Sequence, residues 1–183
     1  VKQRSIYLKG LLELPRLYSE ILSQNENIKK LCKKFTGSNS ILYLGRDILY
    51  AIALEGALKL KEISYLHAEG YASGELKHGP IALIDKSMPL VALNPWSKVF
   101  EKTLSNLEEV KARRGKIILF TDKKGKELSK DLTKSIFQLP SCSDFLTPIL
   151  YSLPLQLIAY YTALDKGTDV DQPRNLAKSV TVE

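Results

Sequence analysis

Apolar residues recur at helical spacing early in the chain. Leu11, Leu12, Leu14, Leu17, Ile21 and Leu22 form one stripe, with Pro15 expected in a first turn or at a kink. A shorter helix is expected over Glu26 to Phe35, closed by Gly37. The pattern then changes: Ser40-Ile41-Leu42-Tyr43-Leu44-Gly45 is a short continuous apolar run ending on glycine, as in a strand buried on both faces. A long helix rich in Ala, Leu, Lys and Glu should follow from about Leu49 to Tyr65. His67 to Pro80 is polar and glycine-containing, with a helical turn expected near Ala72 to Leu76. Further strands are expected at Pro89–Leu93, Lys116–Thr121 and Ser135–Leu139. An amphipathic helix over Val99 to Arg113 stops at Gly115, and an apolar helix runs to about Lys166.

Short apolar strands alternating with helices indicate an α/β fold, a three-layer sandwich around a parallel sheet. The expected divisions are N-terminal helices over 1–39, a sheet-centred core over 40–166 and a tail over 167–183. Ligands of such sheets gather beyond the carboxyl ends of the strands, among loops and helix N-termini.

At 183 residues, with 44% hydrophobic and 26% charged positions, the chain suits one globular domain and not a disordered or collagen-like class. Cys32 and Cys142 lie far apart, in no zinc-ligand spacing, and the two histidines make no metal site unaided. Sparse cysteine points to a reducing compartment, and no signal-like run follows Val1, so the cytoplasm is the expected location. The apolar stretch Phe145 to Leu164 approaches the length of a membrane span. Pro148, Pro154, Thr147, Ser152 and Gln156 within it fit a buried helix better. A chain beginning with Val is expected to be cut from something longer. The net charge of +7 is concentrated between Lys29 and Lys34 and between Lys123 and Lys134, with few aromatics interleaved. Solvated helix faces and loops are therefore favoured over a nucleic-acid surface, with a smaller anionic partner left open.

Glu55, Lys59 and Glu62 fall at i, i+4 and i+7 and so stack along one helix face. One reading is a surface ladder in which Lys59 bridges two carboxylates. The sharper one makes Glu62 a general base held by Lys59. His78 precedes Gly79-Pro80 and so sits on a turn, where it would exchange protons near neutral pH, whereas His67 reads as a packed or capping residue. The tail, from Asp169 through Arg174 and Lys178 to Glu183, mixes charges, apolar residues and a proline unevenly, as a docking segment does. Lys178 is an exposed lysine on the bland reading and a Schiff-base amine if desolvated. No Walker loop or dinucleotide fingerprint is present. Gly45-Arg46-Asp47 is a poor phosphate cradle, although Arg46 has the reach to touch one.

Three motifs together resemble one family. Ala53-Leu54-Glu55-Gly56-Ala57-Leu58-Lys59-Leu60-Lys61-Glu62-Ile63-Ser64-Tyr65, then Gly74-Glu75-Leu76-Lys77-His78-Gly79-Pro80, then Lys166 to Glu183 look like the C-terminal sugar-isomerase (SIS) repeat of glucosamine-6-phosphate synthases. The resemblance covers that repeat nearly end to end. It implies a flavodoxin-like SIS architecture and the cofactor-free conversion of fructose 6-phosphate plus glutamine-derived ammonia into glucosamine 6-phosphate. By resemblance His78 opens the sugar ring in a neighbouring subunit's site, which implies at least a dimer. Lys178 forms the Schiff base, and Glu62 moves the proton between C1 and C2. Lys59 and Glu55 support it, and Arg174 fixes the tail over the site.

Two departures qualify this. The family's Ser/Thr-rich phosphate loop belongs to the first SIS repeat, and its glutaminase domain has no counterpart in these residues. The loop Gly45-Arg46-Asp47-Ile48 also looks shortened against the family pattern. The chain alone is therefore expected to be inactive, a partner to the missing repeat and the glutaminase domain. A related phosphosugar isomerase or deglycase and a non-catalytic phosphosugar sensor are the alternatives. Glu62, His78 and Lys178 together favour the synthase, because a sensor needs none of them.

Overall fold

In the computed structural model, which describes residues 2–35 and 37–174, five parallel strands form one sheet. They are β1 (Ser40–Gly45), β2 (His67–Ala72), β3 (Pro89–Leu93), β4 (Lys116–Thr121) and β5 (Ile136–Gln138), in the order β2-β1-β3-β4-β5. The helices are α1 (Lys2–Leu22), α2 (Asn25–Cys32), α3 (Ile48–Ser64), α4 (Phe100–Ala112), α5 (Lys123–Leu128) and α6 (Thr147–Asp165). Successive strand residues point to opposite faces, and the core divides accordingly. Ile41, Tyr43, Val91, Leu93, Ile118 and Phe120 pack with α3, α6, α2 and the end of α1. Leu42, Leu44, Leu90, Ala92, Ile117 and Leu119 pack beneath α4 and the 3-10 turns after β2. The continuous apolar runs thus mark strands covered on both sides, in the expected three layers.

Several local expectations need correction. His67 to Ala72 was expected outside the sheet and is the edge strand β2, paired along its length with β1 from Ser40↔His67 to Gly45↔Ala72. Its pattern is only half buried, so the polar sequence hid a strand that its neighbour imposes. His67 is neither packed nor capping: it is exposed and lies 3.3 Å from Glu69 Oε1 on the same strand. Helix α1 begins well before Leu11 and carries Pro15 in its interior. The short α5 was not anticipated; Asp122 caps it by accepting from the Gly125 N–H at 2.8 Å.

Gly70 explains how α3 sits on the edge of the sheet. A Cβ there would lie 2.8 Å from Leu54 N and 2.9 Å from its Cα, so the α3 backbone rests directly on β2. Across the same face α3 packs on α6, which with β1 and β2 holds the helix along its whole buried stripe of Ala53, Ala57 and Leu60.

Candidate active site

The opposite face of α3 carries the ladder. Lys59 Nζ lies 2.6 Å from Glu62 Oε2 and 3.9 Å from Glu55 Oε1. The side chains of Lys59 and Glu62 keep 35% and 25% of their exposure, so the pair is open to solvent on one side only. Its hydrogen bond to Glu62 holds the Lys59 proton more tightly than in an ordinary lysine; partial burial opposes this, and the Glu62 and Glu55 charges add to the hydrogen bond. Lys59 is therefore a fixed cation that holds Glu62 in place through a 2.6 Å hydrogen bond. A rigid helix places this carboxylate more exactly than a loop would. Beside the ladder, Tyr50, Leu54 and Leu58 form an exposed apolar ridge at i, i+4 and i+8.

The beginning of the tail folds against the same end of α3. Tyr65 ends the helix in a left-handed conformation (φ 55°). The Arg174 N–H donates to Tyr65 Oη at 2.8 Å, and the Arg174 guanidinium stacks over the Tyr65 ring at 4.3 Å. Thr168 Oγ1 donates to Ile63 O at 2.6 Å. The structure thus brings Glu55, Lys59, Glu62 and Arg174 to one helix and its carboxyl end. Lys178, the expected Schiff-base lysine, lies outside the described residues.

His78 stands elsewhere. It ends the 3-10 turn Ser73–His78, past the carboxyl end of β2, with its side chain 72% exposed and Nδ1 2.7 Å from Glu75 Oε2. Lys77 ties the turn to α4 through Glu109 at 2.8 Å, and Ser73 Oγ donates to Gly45 O at 3.0 Å. Glu62 precedes the amino end of β2, so the strand's length of roughly 16 Å separates the two residues within one chain.

One feature escaped residue-by-residue reading. A cavity of about 360 Å³ opens where β1, β3, β4 and β5 end, lined among others by Arg46, Trp96, Asp122, Cys142 and Tyr151. It is the crevice beside β1 and β3, where the strand order reverses, and that general rule was its only sequence signal. Arg46 donates to Asn106 Oδ1 at 2.9 Å, which ties the loop after β1 to α4. Glu62 lies 14 residues along α3 from Ile48 at the cavity mouth, about 21 Å away, so ladder and cavity are separate places.

The SIS domain family model matches residues 34–166. Over 177 residues the chain is 56% identical to the glutamine–fructose-6-phosphate aminotransferase (isomerizing) of Bartonella quintana (strain Toulouse), covering 97% of this chain and 29% of that protein. Identity is 58% over 174 residues with the protein of the same name from Bradyrhizobium diazoefficiens, covering 95% of this chain and again 29% of the relative. Among solved structures, the C-terminal domain of glucosamine-fructose-6-phosphate aminotransferase from Francisella tularensis superposes with a TM-score of 0.89 at 47% identity. That match covers 94% of this chain and 48% of that one. The chain therefore spans less than a third of the curated relatives it matches, and about half of the solved domain. With its sheet order, its three layers and this match across most of its length, the chain belongs to the SIS domain family.

Proposed function

We propose that this chain is the C-terminal SIS repeat of a glutamine–fructose-6-phosphate aminotransferase (isomerizing), acting on fructose 6-phosphate in the cytoplasm as part of a homodimer. The observation that carries the reading is the Glu55–Lys59–Glu62 ladder with the start of the tail anchored on Tyr65 at the same end of α3. The kinship of the chain to aminotransferases of that name supports it. His78 opens the sugar ring. The Lys178 amine adds to C2 of the open ketose and water leaves as the imine forms. Ammonia then takes the place of the lysine amine at C2. Glu62 removes a proton from C1 and returns it at C2, leaving an amine on C2 and an aldehyde at C1. Lys59 orients Glu62, Glu55 adds to the field around Lys59, and Arg174 positions the tail.

Position supports these roles. Lys178 follows Arg174 by four positions, a Cα-to-Cα span of at most about 14 Å of extended chain, so the anchor on Tyr65 limits how far Lys178 can lie from α3. The separation of His78 from Glu62 favours a site completed by a second subunit. The phosphate grip belongs to the first SIS repeat and the ammonia to the glutaminase domain, so the chain by itself turns over no substrate.

The test uses a chain extended upstream by the first repeat, incubated with fructose 6-phosphate and reduced with borohydride. A reduced sugar adduct on the peptide carrying Lys178, lost in Lys178→Ala, is the expected result. Saturable sugar-phosphate binding with no adduct would overturn the imine route and leave a sensing role.

A further inference from the structure

The 3-10 turn that ends on His78 is tied to the fold at several points. Leu76, in its middle, is fully buried. Ser73 Oγ donates to the carbonyl of Gly45 at the end of β1, and Lys77 pairs with Glu109 on α4. Arg46, the residue after Gly45, adds a further hold. Its Nη2 donates to Asn106 Oδ1 at 2.9 Å, and Asn106 lies three residues before Glu109 on α4, on the same face of that helix. α4 therefore grips the turn twice, from Glu109 to Lys77 and from Asn106 through Arg46.

The Arg46 guanidinium lies against Gly74. A Cβ at Gly74 would stand 3.2 Å from Nη2, 3.4 Å from Nη1 and 3.6 Å from Cζ. Gly74 is not one of the glycines with positive φ, so its backbone does not demand glycine; the close approach of Arg46 does. Stability alone is a poor reason for this arrangement. Arg46 Nε is buried with no hydrogen-bond partner among the described residues, a loss that a fold ordinarily avoids. Asp47, the next residue, holds φ at 56°, in a region costly for any residue with a side chain. Both costs fall where the chain leaves β1 and carries the guanidinium to the turn, and such costs collect where function fixes a position. Glu75 follows Gly74 directly, and its Oε2 lies 2.7 Å from His78 Nδ1. The backbone that rests on Arg46 is thus the segment from which Glu75 rises to hold His78. With Nδ1 engaged, Nε2 is the nitrogen left to exchange a proton with the sugar.

We propose that Arg46 is a positioning residue for ring opening: it seats the Gly74–Glu75 segment so that His78 meets the sugar at a fixed place. The proposal rests on the ring-opening role given to His78 above. In that step the bond from C2 to the ring oxygen breaks, the ring oxygen gains a proton and the C2 hydroxyl gives one up, leaving the open ketose. Arg46 acts through the turn and touches no reacting atom.

The test uses the chain extended upstream by the first repeat and the glutaminase domain, with a closed and an open substrate. Fructose 6-phosphate must be opened. Its 5-deoxy analogue lacks the hydroxyl that closes the ring and is already open. Arg46→Met should lower kcat/KM on fructose 6-phosphate by about tenfold or more and leave kcat/KM on the analogue within about twofold of the parent. His78→Ala gives the ratio of the two substrates when ring opening alone is lost. Gly74→Ala, whose methyl pushes the guanidinium aside and keeps its charge, should shift the ratio in the same direction, and it carries the test alone if Arg46→Met fails to fold. A ratio equal to the parent's in the folded variants, with activity lost on both substrates alike or on neither, would overturn the proposal. Equal loss on both substrates in His78→Ala would instead refute the ring-opening role of His78, and the proposal with it.

Discussion

Gly70→Ala tests whether the α3 backbone bears directly on the edge strand. The added methyl would sit 2.8 Å from Leu54 N, 2.9 Å from Leu54 Cα and 3.0 Å from Ala53 C. The first of these falls about 0.6 Å short of ordinary van der Waals contact, and all three atoms are backbone. No side chain can rotate away, so α3 must lift or β2 must bend, and either movement strains the buried contacts of Ala53, Ala57 and Leu60. Overpacking costs about 1–3 kcal/mol, and a backbone-on-backbone clash belongs at the upper end. Replacing glycine within a strand returns about 0.5–1 kcal/mol of chain entropy. The net expectation is a loss of about 2 kcal/mol, or roughly 4–8 °C in melting temperature for a domain of this size. Urea unfolding should show a lower midpoint with an unchanged slope. Gly10→Ala is the comparison: there the methyl meets only the end of the Leu146 side chain, at 3.1 Å in a helix interior, and stability should hold or rise. A Gly70→Ala protein as stable as the parent would refute the close approach, and with it the account of how α3 is seated.

Two further expectations concern charge and protons. Lys59→Met should change stability by less than about 1 kcal/mol, since the pair is partly exposed, yet lower turnover of the chain extended by the first repeat and glutaminase domain by at least about tenfold with little change in KM. Equal turnover would show that the ladder is only a surface ion pair. Burial pushes the Cys32 thiol from 9.0 up to about 12, so a thiol reagent at pH 8 should modify Cys142 and spare Cys32. In the unfolded chain Cys32 ionises from about pH 9 while the folded chain keeps its proton, so the unfolded state binds fewer protons between those values. Stability should fall as pH rises from 9 towards 12, by at most about 4 kcal/mol from this group, and Cys32→Ala should flatten the fall in pH-dependent unfolding measurements. An equally steep fall in that variant would assign the effect elsewhere, with the buried Tyr43 hydroxyl, also shifted upward, as the next candidate.

The strands that read clearly are those whose side chains meet apolar neighbours on both faces: Ile41 to Leu44, Leu90 to Leu93 and Ile117 to Phe120. β2 did not read as a strand because His-Ala-Glu-Gly-Tyr-Ala lies at the sheet edge, where half-exposed positions accept polar residues and only pairing with β1 makes the segment extended. The ladder was visible because helical periodicity alone puts Glu55, Lys59 and Glu62 on one face. Its 2.6 Å pairing and the stacking of Arg174 on Tyr65 were not, because they depend on rotamers and on a contact across 109 residues. The cavity was the least legible, since its lining comes from loops scattered between Arg46 and Tyr151.

By itself the sequence determined the α/β class, the buried strands, the face of α3 that bears charge and the segments that mark the SIS family. Each of these follows from residues close together in the chain, through side-chain periodicity and backbone propensity. Tertiary structure alone decided the strand order, the edge position of β2, the separation of His78 from Glu62 and the cavity at the strand ends. These depend on which distant surfaces bury each other, a choice made by the whole core that no local pattern encodes.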